Sequence, residues 1–334
     1  MVSSKASVFL GVPVIISSIA KRSSSPKTIF DELFPDLFGV QIVRIMTHST
    51  DYGDYVDIYI FVSKYITSFA LLIVTFADIG TTCFISFLIY KFKELRTRTN
   101  YILLNLMISS TLYVLLNLFL GIFNKFLASD VKNYGDSIEH GMIVALFMIK
   151  STTLLLVLYL AIDWLILANN LNLLSKYQQY LYPFVILGIY VLSLKDCLLY
   201  FIISDKTFMY IQIELIGSNL LFLLSGIIVL IFFIIKKCKR YSLEQSKIDY
   251  ALAISCTYFI LWLPCFILYI IMFIILPVLG VRIEYILLVN LVSETFGVFG
   301  YACPLAYVAV LSIFAQNFKN SFNCIFKRTG SNTV

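Results

Sequence analysis

Four ionisable side chains stand inside long apolar runs of this chain: Asp78, Lys150, Glu214 and Glu294. A charge at membrane depth costs roughly 2.5–3.5 kcal/mol on insertion scales and usually faces the interior of a helix bundle. Lys150 stands 13 residues before Asp163, about 20 Å along a helix at 1.5 Å per residue. Glu294 stands 10 residues before Pro304. Two chemistries are open to Lys150. It can form an ion pair with Glu294 or Asp78 that ties helices together. It can also offer its ammonium to the acidic group of a ligand, which would then displace that partner. Trp262, Tyr258 and Phe296 supply aromatic surface for packing or for stacking on such a ligand.

Covalent and metal chemistry find no support. The sequence carries no nucleophile–base pair, metal-ligand spacing or glycine-rich phosphate loop. The seven cysteines form no Cys-x-x-Cys pair and read as small buried hydrophobes, with a thiol or two at the surface. The two histidines, His48 and His140, are too far apart for a metal site. Neither an enzyme nor a cofactor is expected.

The elements that must position these charges are apolar helices. Of 334 residues, 60% are hydrophobic and 13% charged, against about 45–50% and about 25% in ordinary globular domains. A soluble domain could not cover this chain with polar surface, so it belongs in a bilayer. The net charge of +6 is modest. The basic residues flank apolar runs in short clusters, which argues against a nucleic-acid partner.

Seven spans are expected, over Lys64–Tyr90, Asn100–Phe123, Glu139–Leu167, Tyr180–Leu194, Ile213–Ile235, Lys247–Ile275 and Glu284–Ile313. Between spans four and five, Lys195 to Tyr210 reads either as an extracellular β-hairpin around Ser204-Asp205-Lys206 or as a continuation of span four. After span seven, Phe318, Phe322 and Ile325 recur at helical spacing opposite Gln316, Lys319 and Asn320, which suits a helix lying in the membrane interface. Residues 1–60 form a tail. Its apolar run, Val8 to Ile19, is too short to span a membrane, and the basic pair Lys21-Arg22 follows it, against a cleaved signal. The division is thus a tail over residues 1–60, a bundle over residues 61–315, and an amphipathic helix with a short end over residues 316–334. Lys and Arg concentrate after spans one, five and seven: Lys91, Lys93, Arg96 and Arg98, then Lys236, Lys237, Lys239, Arg240 and Lys247, then Lys319, Lys327 and Arg328. By the positive-inside rule the N-terminus is outside and the C-terminus inside, in contact with membrane lipid throughout.

Five short segments, in order, carry a more specific signal. Leu95-Arg96-Thr97-Arg98-Thr99-Asn100-Tyr101 turns from a basic loop into span two. Ala161-Ile162-Asp163 ends span three. Phe259-Ile260-Leu261-Trp262-Leu263-Pro264 places a Trp two residues before a Pro in span six. Cys303-Pro304-Leu305-Ala306-Tyr307 lies in span seven, and Asn317-Phe318-Lys319-Asn320-Ser321-Phe322 follows it. Together they resemble the rhodopsin-like (class A) G-protein-coupled receptors over about residues 60–325. The resemblance implies a seven-helix receptor of the plasma membrane for an extracellular ligand, coupled to a heterotrimeric G protein. Pro264 would let the inner half of span six swing outward while Trp262 senses the pocket. Lys150, Glu294, Trp262 and Leu146 would lie at the ligand. Asp163, Trp164, Glu244, Pro264, Pro304 and Tyr307 would form the switch and the G-protein face.

The departures are specific too. The arginine expected after Asp163 is Trp164, which is not expected to supply a charge-assisted bond to the helix-six acid that would stand at Glu244. The helix-two sodium-site acid falls at Ser110, so allosteric sodium is not expected. The helix-one asparagine is replaced by Thr82 and the helix-seven asparagine by Cys303, which thins the polar network between these helices. The usual disulfide anchor falls at Glu139, leaving Cys197 without an evident partner. Gly297 replaces the retinal lysine and Leu146 the aspartate of amine receptors, so a peptide or a small chemosensory molecule is the expected ligand. The alternative is a receptor-like membrane scaffold that does not activate G proteins. A transporter is disfavoured because no internal repeat is visible.

Overall fold

The computed structural model describes residues 68–122, 135–168, 172–202, 207–238, 249–271 and 283–330. Within them the chain is entirely helical. The helices are α1 (Ser68–Lys91), α2 (Arg98–Ile122), α3 (Gly135–Ala168), α4 (Asn172–Ser193), α5 (Lys195–Ile202), α6 (Thr207–Cys238), α7 (Asp249–Ile270), α8 (Ile283–Tyr301), α9 (Cys303–Phe314) and α10 (Gln316–Gly330). Six helices are long and apolar enough to cross a membrane, and seven if the bent pair α8–α9 is one span.

Of the two readings open for Lys195 to Tyr210, the described residues take the helical one rather than the hairpin. Leu198 to Ile202 belong to α5, which continues α4 after a turn at Leu194, and Thr207 already begins α6. Aromatic and β-branched residues there have strand propensity, but propensity is a weak prior beside helix packing. The short α5 rests against α3 as well as α6.

α3 is the axis of the bundle and packs on α2, α4, α5, α6 and α7. Large apolar side chains such as Phe76, Phe184, Ile260 and Ile313 point outward and are more than 65% exposed, as expected of helices meant for lipid. Association between such helices relies on close packing and interhelical hydrogen bonds rather than on the hydrophobic effect. Most Ser and Thr hydroxyls do not contribute, because they bond the carbonyl one turn back in their own helix. Thr75 bonds Leu71, Thr152 bonds Met148 and Thr257 bonds Ala253 in this way. The exceptions reach across helices. Thr82 on α1 bonds Thr111 on α2 at 2.8 Å, and Ser255 on α7 donates to the Val157 carbonyl on α3 at 3.1 Å.

The seventh segment is broken. Proline has no amide to continue the ladder, and with Pro304 in the first turn of α9 the axis bends by 48° between α8 and α9. Pro264, by contrast, sits inside one unbroken helix, α7. α10 then folds back on its apolar stripe. Phe318 is fully buried, edge-on to Tyr250 of α7, and Phe322 stacks on Phe84 of α1 at 5.7 Å.

Candidate functional site: a central recess joined by one helix to the basic end

Among the described helices lies a narrow recess. Lys150 and Thr153 of α3, Ser110 and Tyr113 of α2, Tyr258 and Trp262 of α7, and Gly300 and Tyr301 of α8 line it. Its free centre is no larger than about one water molecule. The walls are aromatic. Trp262 meets Tyr301 edge-on at 5.4 Å and Tyr113 at 6.0 Å. Its indole presses against Gly300 so closely that a Cβ there would fall 2.6 Å from the ring. Only glycine permits that approach.

Lys150 lies beside this aromatic wall. Its ammonium stands 4.7 Å from the centroid of the Phe266 ring, a cation–π geometry, and donates to the Ser218 hydroxyl of α6 at 3.4 Å. Phe266 in turn stacks on Phe222 at 3.7 Å. The anticipated pair of Lys150 with Asp78 is not formed. Asp78 is fully buried on α1, and neither carboxylate oxygen has a hydrogen-bond partner among the described residues. The side chain of Glu294 is outside the described residues, as are those of Glu214 and Glu284. Leu146 packs with Leu120 and Ile143 in a small apolar cluster and does not line the recess. Phe296 is on α8 but 37% exposed.

The basic end of the bundle is tied differently from the sequence expectation. Asp163, at 0% exposure, is held by two neighbours from the start of α2. The Arg98 guanidinium forms an ion pair with it, and the Thr99 hydroxyl donates to it at 2.7 Å. Trp164 does make a bond to an acid. Its indole N–H donates to the Asp249 carboxylate at the first residue of α7, at 3.3 Å. The other Asp249 oxygen meets the Lys236 ammonium of α6 at 2.9 Å. A neutral indole thus takes a charge-assisted bond because its acceptor is ionised. The next residue, Tyr250, donates to Asn100 of α2 at 2.7 Å, and Asn100 donates to the Leu95 carbonyl at 2.8 Å. Glu244, the expected helix-six acid, lies outside the described residues.

Sequence reasoning missed Asp249, Tyr250 and Asn100 as a group. The signal was there: an acid and a tyrosine at the first turn of an apolar run, where carboxylates favour the helix N-terminus. Tyr307 and Cys303 are both buried beside the bend, as their place near Pro304 required. The sulfur of Cys197 lies 4.0 Å from that of Met148.

No family model matches this sequence, and no curated protein is detectably similar to it.

Proposed function

We propose that this chain is a divergent rhodopsin-like receptor with seven membrane spans. Its N-terminus is outside, and its basic end faces the cytoplasm at the plasma membrane. The carrying observation is that α7 touches both functional ends. Trp262 lines the central recess, while Asp249 and Tyr250 at the start of the same helix bond α3 and α2. A peptide or small chemosensory ligand in the outer half would press on Trp262. Outward movement of the inner half of α7 about Pro264 would then break the Trp164–Asp249 and Asn100–Tyr250 bonds. That movement opens a cleft for a heterotrimeric G protein beside Asp163, Trp164 and α10. Ligand drives this only through its higher affinity for the open state.

The deciding experiment is basal G-protein activation in cells, across a panel of G proteins and at matched surface expression. The wild type is compared with Trp164→Arg, Asp249→Asn and Tyr250→Phe. Asp249→Asn combined with Tyr250→Phe is expected to raise the basal signal severalfold. Trp164 in place of an arginine favours one other reading, a receptor-like scaffold that does not activate G proteins. Silence of every variant on the panel, Trp164→Arg included, would favour the scaffold.

A further inference from the structure

A charged side chain buried in a membrane span calls for a partner, and Asp78 of α1 lacks an evident one. It is 0% exposed, and no hydrogen bond closes on either carboxylate oxygen.

α9 has the complementary deficit. A helix leaves its first amides without partners inside the helix, and no water meets them at membrane depth. The usual remedy is a Ser, Thr, Asp or Asn at the N-cap, whose side-chain oxygen accepts from the second or third amide of the helix. Here the N-cap is Ala302, which makes no side-chain cap bond. Pro304, second in the helix, has no amide to offer. Leu305 is third, and its amide lies against the Asp78 carboxylate, an approach looser than a closed hydrogen bond. The amide end of a helix also carries partial positive charge, which favours a carboxylate there. Tyr307, further along α9, keeps a fully buried hydroxyl with no hydrogen-bond partner. It stands within electrostatic reach of the same carboxylate.

We propose that Asp78 is a helix cap supplied by a neighbouring helix: its carboxylate on α1 covers the amide end of α9 and so holds the 48° bend of the seventh segment. α9 can then straighten, or slide along α1, only by stripping Asp78 of its compensation. The brace does not depend on coupling to a G protein.

The rival account is a carboxylate that is merely uncompensated, and the two differ in sign. Replacing an uncompensated buried charge by an apolar side chain of similar size stabilises a protein, whereas removing a cap destabilises it. Full-length wild type, Asp78→Leu and Asp78→Asn are compared in lipid nanodiscs, by melting temperature and by amide hydrogen exchange over residues 302–307. Asp78→Leu is expected to lower the melting temperature and to speed exchange in that segment about fivefold, the usual worth of a cap, with α2 unchanged. Asp78→Asn keeps an acceptor oxygen and is expected to stay close to the wild type. Ala302→Ser puts a cap at the ordinary position, and in the Asp78→Leu background it is expected to restore slow exchange. A packing role for Asp78 would not give that rescue. The proposal is overturned if Asp78→Leu melts higher than the wild type with exchange over 302–307 unchanged. It is also overturned if Ala302→Ser leaves the Asp78→Leu protein as loose as before. Should Asp78→Leu alone fail to fold, the double variant decides: folded, it supports the cap, and unfolded, it overturns it.

Discussion

Trp164 shows how one residue can be misjudged by type. Against the receptor pattern it replaces a cation, and on chemical type alone it lacks the charge to hold an acid. In the bundle it is almost fully buried, and its N–H still reaches the Asp249 carboxylate. Asp163, freed from pairing along its own helix, is satisfied by Arg98 and Thr99 instead. Removing one member of a buried pair usually costs about 3–5 kcal/mol, because the other charge is left uncompensated. Asp163→Asn should therefore destabilise the protein by roughly 3 kcal/mol. A double-mutant cycle with Arg98→Met should give a coupling above about 1 kcal/mol by chemical unfolding in micelles. A coupling near zero would show that the pair is incidental. The same scale governs Gly300. A methyl there must displace the Trp262 indole, and such overpacking typically costs about 1–3 kcal/mol. Gly300→Ala should lower the melting temperature and shift the emission of Trp262; an unchanged spectrum would mean that the contact relaxes freely.

At the level of elements, the apolar runs located the helices well and their ends less well. Long, predominantly apolar stretches such as α2 and α6 are hard to misread, since about 20 mostly apolar residues are the length a membrane helix needs. The stretch after α4 was ambiguous because short apolar runs suit strand and helix equally. What decided it was packing of α5 against α3, which no local pattern records. The amphipathic stripe of α10 was legible because Phe318, Phe322 and Ile325 share a helix face. Its destination, edge-on to Tyr250 and stacked on Phe84, was not. Phe318→Ala should cost about 3–5 kcal/mol, as for other buried phenylalanines. It should also expose α10 to limited proteolysis before the rest of the bundle. Equal protection in both proteins would mean that α10 is held by other contacts.

For the whole molecule, composition alone indicated a membrane protein, because 13% charge cannot coat a soluble surface. The central recess was only partly legible. Lys150 and Trp262 were singled out as an intramembrane charge and a Trp-x-Pro, but Ser110, Tyr113 and Gly300 come from other helices, and no spacing rule links them. Orientation rests on the placement of lysine and arginine. The natural chain has no Asn-x-Ser/Thr acceptor, so one can be introduced without background. His48→Asn creates such an acceptor ahead of Ser49-Thr50 and should yield an endoglycosidase-sensitive gel shift in cells. Absence of the shift in surface-expressed protein would count against an outside N-terminus.

Asp249 and Tyr250 are adjacent, yet they bond different helices, one to α3 and one to α2. A rigid first turn of α7 cannot leave one partner far behind while keeping the other. The two bonds are therefore lost together, and their free energies add within a single event. At about 1–2 kcal/mol each, joint release would involve at most a few per cent of molecules at rest. The bundle then behaves as a latch with a threshold: small disturbances decay without consequence, and a sufficient one passes through whole.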